Sequence, residues 1–542
     1  MIKNTVKKII LCFTLTGIYA LKSQGQRPDE KLPKIISKDG HHALIIDGAP
    51  FFMFGVQAHN SSGWPAMLPS LWEAVEEMHA NTLEVPVYWE QIEARPGVFD
   101  FSLVDTLLLQ ARAHDVRLVL LWFATWKNGS NHYMPEWMKR DASKYPNIQS
   151  KTGKPVDSPS PNAEATLEAD RKAFARLMNY LGKKDARHTV IMVQVENESG
   201  AWGSVRDYSP AAQKLFEGPV PEALLKPELL NALRVPVISG GNWQQVFGDR
   251  ADEYFHAWSV ARFIGQVAAA GKTEYGLPLY TNTALRDPLS NPMADNYESG
   301  GPTDNVIPIW KAAAPALDLL APDIYLTGSE RIMKVIELYD RPDNALFVPE
   351  LGWNPDKVKY LYEVISRGGI GYSPFGVDDN GEGSTKTETK ARLAPFAREY
   401  ALLNPMMREL ANWGYEGRMK AVVEREDHAN QTIDLGKWQL IVNFGSGERV
   451  ASDKINEQPN GKLMAVQLEE DKFILIGTSC RVSFSPMGKD STRAWQYGKA
   501  EEGRYEIGVF RPLRILNGDE TDWGGPRFGA SPTVVRANLI LR

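Results

Sequence analysis

Between residues 40 and 410 short apolar runs alternate with longer helical patterns. The runs are FFMFGVQ (51–57), TLEVPVY (82–88), RLVLLWF (117–123), TVIMVQV (189–195), LPLYTN (277–282), LDLLAPDIY (317–325), ALFVPE (345–350) and GGIGYS (368–373). Each reads as a buried strand. Amphipathic stretches such as SLWEAVEEMHA, FSLVDTLLLQARAHD and EADRKAFARLMNYLGKK separate them. Eight such repeats predict an α/β fold, a (β/α)8 TIM barrel over residues 26–414. A doubly wound sheet is the competing arrangement, but no glycine fingerprint follows the first run. After residue 415 the helical period stops. Short alternating runs take over: RMKAVVERE, KWQLIVNFG, KLMAVQLEED, KFILIGTSCRVSF, RYEIGVFRPL and VVRANLILR. They predict a smaller C-terminal β-sandwich domain, residues 415–542. It is expected to bind carbohydrate, to pack against the barrel, or to complete a wall of its cleft. GDETDWGGPRFG (518–529), with Trp523, reads as a surface loop of that domain.

The predicted strands end alike. The first runs into Gln57, His59 and Asn60, the second into Tyr88, Trp89 and Glu90, and the third into Trp122, Trp126 and Asn128. The fourth gives Glu196, Asn197 and Glu198, and the fifth Asn282. The sixth gives Tyr325, the seventh Glu350, and the eighth Tyr372 and Phe375. In a TIM barrel the C-terminal ends of all eight strands converge on one mouth. The fold therefore gathers polar and aromatic residues, scattered along the chain, into one cup.

Composition narrows the function. The chain has 542 residues and a net charge of −6 with no long basic run, which argues against a nucleic-acid partner. Fifteen tryptophans suit either a large core or a cleft whose aromatic faces stack on sugar rings. Residues 1–25 read as a secretory signal peptide. Lys3, Lys7 and Lys8 precede an apolar stretch, Ile9 to Ala20, and a small-x-small site at Ser23-Gln24-Gly25. The mature chain is then expected to be periplasmic or secreted, without a membrane span. Its one remaining cysteine, Cys480, cannot form an internal disulfide. No Cys/His cluster has metal-ligand spacing and there is no phosphate loop, so neither metal nor cofactor is expected. Nothing in the pattern fixes an oligomeric state.

IMVQVENESG (191–200) poses the sharpest chemical question, because a core strand ends in two glutamates. Burying carboxylates is costly unless something compensates. Glu198 and Glu350 follow predicted strands four and seven, so their side chains can meet over one ligand. Two carboxyl groups so placed suit cleavage of a glycosidic bond: one protonates the leaving oxygen, the other attacks the anomeric carbon. Asn197 would contact a sugar hydroxyl. Glu350 would be held ionised by the Tyr325 hydroxyl, and its charge would keep Glu198 protonated. Glu196 is expected behind the barrel, paired with a basic residue.

These residues resemble a known family. VQVENESG is similar to a VQVENEYG segment of the glycoside hydrolases of family 35, chiefly β-galactosidases. VPVYWEQIEARPGVFDFS (85–102) resembles the family's Pro-Gly-x-Phe-Asp-Phe segment through Pro96, Gly97, Phe99, Asp100 and Phe101. GGP (300–302), APDIY (321–325) and FVPELGW (347–353) add further matches, and the sandwich looks like the one attached to a bacterial subgroup. Trp126, Lys127 and Asn128 stand where many members carry a CAEW segment. The resemblance implies a retaining, exo-acting β-galactosidase acting on galactosylated glycans, with Glu198 as acid/base and Glu350 as nucleophile. Substrate contacts are expected from Asn197, Tyr325, Tyr88, Trp122, Trp126, Asn128, His59 and Phe375. Trp202 and Trp243 suit either the aglycone side or loop packing. The competing readings are an exo-enzyme for another sugar, an endo-glycanase with an open groove, and a non-catalytic glycan-binding protein.

Overall fold

A computed structural model of the chain describes residues 32–352, 354–379, 381, 385–444 and 459–542. The expected signal peptide lies outside the described residues. Eight parallel strands form the ring: β1 (Met53–Gln57), β2 (Thr82–Tyr88), β3 (Arg117–Lys127), β4 (Val190–Asn197), β5 (Leu279–Ala284), β6 (Leu319–Ile324), β7 (Phe347–Leu351) and β8 (Gly371–Pro374). They are paired in chain order, and β4 against β5 completes the closed barrel. Almost every residue of these strands is buried, because the lumen lies on one face and helices on the other. That is why they read as unbroken apolar runs. β3 continues four residues past its expected end at Phe123, and its pairing with β4 shifts register between Trp122 and Lys127. The extension brings Lys127 level with Asn197.

Among the outer helices, Glu164–Lys184 packs beside Ala251–Glu274 and against β3. It presents Leu167, Asp170, Phe174 and Leu177 inward, and Asp170 is the one charge in that stripe. A three-stranded antiparallel sheet (Lys34–Lys38, His41–Ile46, Ala49–Phe51) precedes the barrel and packs on helix Met407–Tyr415. Arg408 fixes it there, donating to the carbonyls of Ile46, Ala49 and Pro50.

The C-terminal part is a sandwich of two antiparallel sheets. One has six strands: β9 (Met419–Val423), β12 (Lys462–Glu469), β13 (Lys472–Thr478), β18 (Thr533–Leu541), β15 (Trp495–Glu506) and β16 (Val509–Ile515), in that spatial order. The other has four: β10 (Gln431–Leu435), β11 (Trp438–Asn443), β14 (Cys480–Pro486) and β17 (Arg527–Phe528). Two sequence expectations change here. KFILIGTSCRVSF is not one strand but two on different sheets, separated by Ser479 at φ 51°. RYEIGVFRPL is a hairpin, not a strand: Ile507 and Gly508 both have positive φ, the geometry a two-residue turn between twisted strands requires. Isoleucine is a poor residue for that backbone, which hid the turn in the sequence.

The sandwich has its own core around Trp438, Phe484 and Leu475. The barrel core extends into it through Met464, Val466, Ile474, Ile476 and Val534. A buried ion pair joins the two parts, Lys462 Nζ to Glu399 Oε1 at 2.9 Å, and Glu399 also accepts from the Tyr362 hydroxyl at 2.9 Å. Among the described residues no helix is long and apolar enough to cross a membrane.

Candidate active site

The end of β4 leaves regular strand geometry. Glu196 and Glu198 both adopt positive φ, 63° and 41°, a conformation that non-glycine residues rarely hold without compensation. The two glutamates then go separate ways.

Glu196 sits behind the ring, fully buried. Its Oε2 accepts the Trp126 backbone N–H at 2.6 Å, and its neighbour is Asp170 of helix Glu164–Lys184. Asp170 accepts from Trp122 Nε1 at 3.0 Å and from Thr125 Oγ1 at 2.5 Å. The expected basic partner is therefore replaced by a second acid. Two buried carboxyl groups in contact cannot both ionise. Glu196 is pushed well above the usual carboxylate range by burial first and by the Asp170 charge second, and the two share a hydrogen bond. Glu196 holds the proton and Asp170 receives it.

Glu198 lies on the mouth side. One carboxylate oxygen from each of Glu198, Asp323 on β6 and Glu350 on β7 lies within 4.8 Å of the other two. Among the described residues this is the one grouping of three or more His, Cys, Asp or Glu side chains so close, and it contains no histidine or cysteine. The Glu198 backbone N–H donates to Asn282 Oδ1 at 3.1 Å, and Asn282 Nδ2 donates to Asp323 Oδ2 at 2.6 Å. Lys127 Nζ stands 4.0 Å from Glu198 Oε2 and donates to Asn128 Oδ1. Burial raises the Glu198 carboxyl most, and the charge of Glu350 adds to it. Lys127 and a hydrogen bond from Asp323 pull the other way, leaving it at about 7. Burial thus outranks the Glu350 charge expected from sequence as the main cause.

Glu350 is buried, and its Oε1 accepts the Tyr325 hydroxyl at 2.7 Å. Its Oε2 has no hydrogen-bond partner among the described residues. Asn197 is also buried, and neither its Oδ1 nor its Nδ2 is paired among the described residues. Buried polar atoms without partners are uncommon, and a hydroxyl-rich ligand is a natural complement. Beneath the trio the Tyr280 hydroxyl of β5 donates across the lumen to Glu84 of β2 at 3.1 Å. Burial raises Glu84 well above the usual range, against the hydrogen bonds from Ser373 and Tyr280.

Beside the trio stands Glu298, buried, with Oε1 unpaired among the described residues. Burial and the Glu198 charge raise it, while Lys127 and a hydrogen bond from Trp202 oppose the shift. Glu298 presses on the loop after β3: a Cβ on Gly129 would fall 2.1 Å from its Oε1, and Gly129 has φ 68°. Trp202 and Tyr325 are about half exposed, 53% and 47%.

Three expected sugar contacts are corrected. Trp122 is fully buried on the helix side, bonded to Asp170 and packed on Phe174 and Trp89. Trp126 is fully buried against Phe263, with Nε1 on Ser158 Oγ at 3.2 Å. Both rings belong to the wall behind the barrel, Trp122 from the regular pairing with β4 and Trp126 from the stretch after that pairing shifts register. Tyr88 is fully buried too. Its hydroxyl donates to the Asn60 carbonyl at 2.7 Å and accepts the Gly63 N–H at 3.1 Å, so it braces the loop after β1. His59 and Phe375 are partly exposed and meet edge-to-face at 5.5 Å. His59 is fixed by Asp378, with Nδ1 to Oδ1 at 3.2 Å. Asn128 is exposed on the loop after β3. Trp243 is buried against Phe247 and Phe255, which is loop packing.

Sequence reasoning passed over Asp323, Glu298 and Asp170. Asp323 carried a usable signal: it is an acid inside the apolar run LDLLAPDIY, the same anomaly that drew attention to VQVENESG. Asp170 carried one as well, an acid on the inward stripe of an amphipathic helix.

Comparison with known proteins follows the same outline. Residues 64–233 match the beta-galactosidase model of glycoside hydrolase family 42. Residues 396–525 match a domain of unknown function, DUF5597. The family that matches is thus 42, and the family 35 resemblance is not carried further. No curated protein matches the chain. Similar solved structures include a beta-galactosidase from the psychrophilic Marinomonas ef1, 14% identical, covering 66% of this chain and 61% of that one, TM-score 0.48. A beta-galactosidase from Bacillus circulans sp. alkalophilus is 14% identical over 66% and 57%, TM-score 0.48. The catalytic domain of a beta-amylase from Paenibacillus polymyxa is 13% identical over 64% and 96%, TM-score 0.48. The chain spans less than two thirds of the length of the first two.

Proposed function

We propose that this chain is a glycoside hydrolase, an exo-acting β-galactosidase that removes terminal galactose with retention of configuration. The observation that carries the reading is the meeting of Glu198 and Glu350, remote in sequence, with oxygens no more than 4.8 Å apart at one barrel mouth. A separation of about 5 Å suits direct attack by one carboxylate, whereas inversion needs about 6.5–9.5 Å to admit water. The match of residues 64–233 to the family 42 model supports the choice of sugar.

The mechanism follows from the two environments. Glu350, steadied by the Tyr325 hydroxyl, attacks the anomeric carbon. Glu198, still protonated below about pH 7, gives its proton to the departing oxygen. A covalent glycosyl–Glu350 ester forms. Glu198, now a carboxylate, takes a proton from water, which attacks the same carbon and releases the sugar. Asn197, with neither amide atom paired among the described residues, binds a hydroxyl beside the reacting carbon. The expected leader, residues 1–25, is the reason for proposing a periplasmic or secreted location.

A panel of 4-nitrophenyl β-glycosides tests the sugar, and proton NMR of the first-formed anomer tests the stereochemistry. Galactoside hydrolysis releasing the β-anomer is expected. Preference for another sugar redirects the specificity reading, and release of the α-anomer overturns retention.

A further inference from the structure

Asp323 is the third carboxyl of the trio, and its hydrogen bonds define its state. Asn282 Oδ1 is occupied by the Glu198 N–H, which fixes the amide's orientation and turns Nδ2 onto Asp323 Oδ2. Asp323 Oδ1 is buried and receives no N–H or O–H donor from the described residues. One carboxylate oxygen of Asp323 lies within 4.8 Å of one of Glu198, and two buried carboxyl groups this close bond to each other only with a proton between them. Among the described residues the phenols nearby are committed elsewhere, Tyr280 to Glu84 and Tyr325 to Glu350. Glu350 stands opposite on β7, Glu298 lies beside Glu198, and the phenols of Tyr280 and Tyr325 flank Asp323. Lys127 is the nearby cation, and its contact is with Glu198 Oε2.

We propose that Asp323 is a positioning residue that stays neutral through the catalytic cycle and donates its O–H to Glu198 whenever Glu198 is ionised. The inference rests on Glu198 being the acid/base. After Glu198 has given its proton to the leaving group, its carboxylate is buried among negative neighbours. The Asp323 O–H supports that charge until water delivers a replacement proton. No proton is consumed: the one on Asp323 remains there, and the one Glu198 loses returns from the hydrolytic water. The environment agrees, since burial and the charges of Glu350 and Glu198 push Asp323 well above the usual range.

Two measurements decide it. The first needs no substrate. With aspartate labelled at the γ-carbon with carbon-13, the resonance that disappears in Asp323→Asn is expected at the protonated position at pH 7. A resonance titrating in the ordinary carboxylate range overturns the proposal. The second is the pH profile of kcat/KM. Asp323→Ala removes the donor, so Glu198 holds its proton more tightly. The basic limb then moves up by about one pH unit, a tenfold change in proton affinity, and hydrolysis of the glycosyl-enzyme slows. Asp323→Asn, which keeps an N–H donor, restores most of both. An unmoved limb in Asp323→Ala, with activity lowered equally at every pH, assigns Asp323 a merely structural role. If the wild type cleaves no β-glycoside, the proposed function fails on its own, and the carbon-13 titration still reads the state of Asp323.

Discussion

Two acid clusters lie within a few residues of each other on the same strand, and they do opposite things. Behind the ring, Glu196 and Asp170 share a proton and are surrounded by donors: the Trp126 N–H, Trp122 Nε1 and Thr125 Oγ1. At the mouth, Glu198 and Asp323 stand close enough to share a proton too, beside Glu350, but among the described residues Glu350 Oε2 and both amide atoms of Asn197 find no partner. Burial and raised proton affinity are common to both clusters. What separates a scaffold from an active site here is satisfaction. At the rear Glu196 Oε1 alone of the four carboxyl oxygens lacks an N–H or O–H donor among the described residues, and the neighbouring acid Asp170 complements it, whereas the mouth has room for hydroxyl groups from elsewhere. Unusual acidity on its own therefore points to either role.

The widest separation between the clusters is expected in catalysis. Glu350→Gln removes the proposed nucleophile and is expected to lower kcat/KM on an aryl β-galactoside by on the order of 10⁴-fold. Glu196→Gln, two residues from the acid, is expected to stay within a few-fold of wild type. Comparable losses in both variants would erase the distinction. Next comes Tyr325→Phe. It deletes one hydrogen bond to a charged carboxylate, about 1.5–3 kcal/mol, hence roughly 10–100-fold in rate. Trp122→Phe is the matching change at the rear: it leaves Asp170 short of a donor, so it costs about 1–3 kcal/mol in urea denaturation while activity per folded molecule persists.

The smallest effect is on pH dependence, and its sign is definite. Glu84, Glu196, Glu298 and Asp323 all bind their protons more tightly folded than unfolded, and Glu198 does so up to about 7. Between the ordinary carboxylate range near pH 4 and those raised values, the native state holds more protons than the unfolded chain. The stability these groups support is complete below that window and falls as pH rises through it. Thermal unfolding is expected at higher temperature at pH 5 than at pH 8, and Glu196→Gln, whose amide donates at any pH, flattens the slope. A melting temperature that climbs from pH 5 to pH 8 contradicts the neutral state of these acids. Activity follows the same logic, with the basic limb of kcat/KM near pH 7 from Glu198.

Much of this architecture was legible as pattern. The eight apolar runs became the eight strands because strands covered on both faces must be apolar throughout, and that requirement is written locally. Glu198 and Glu350 were legible because acids at the ends of such runs are expensive without a purpose. Tertiary structure decided the rest. Trp122 and Trp126 are enclosed by Asp170, Phe174 and Phe263 from helices distant in the chain, and Glu196 takes a backbone angle of 63°. Neither leaves a trace in residue type. The partners of each acid come from strands and helices far along the chain, as Asp170 does for Glu196 and Asp323 and Asn282 do for Glu198. The sequence determines which groups are costly to bury. Only the closed ring determines which of them meet, because proton sharing acts through space at contact distance and carries no sequence period.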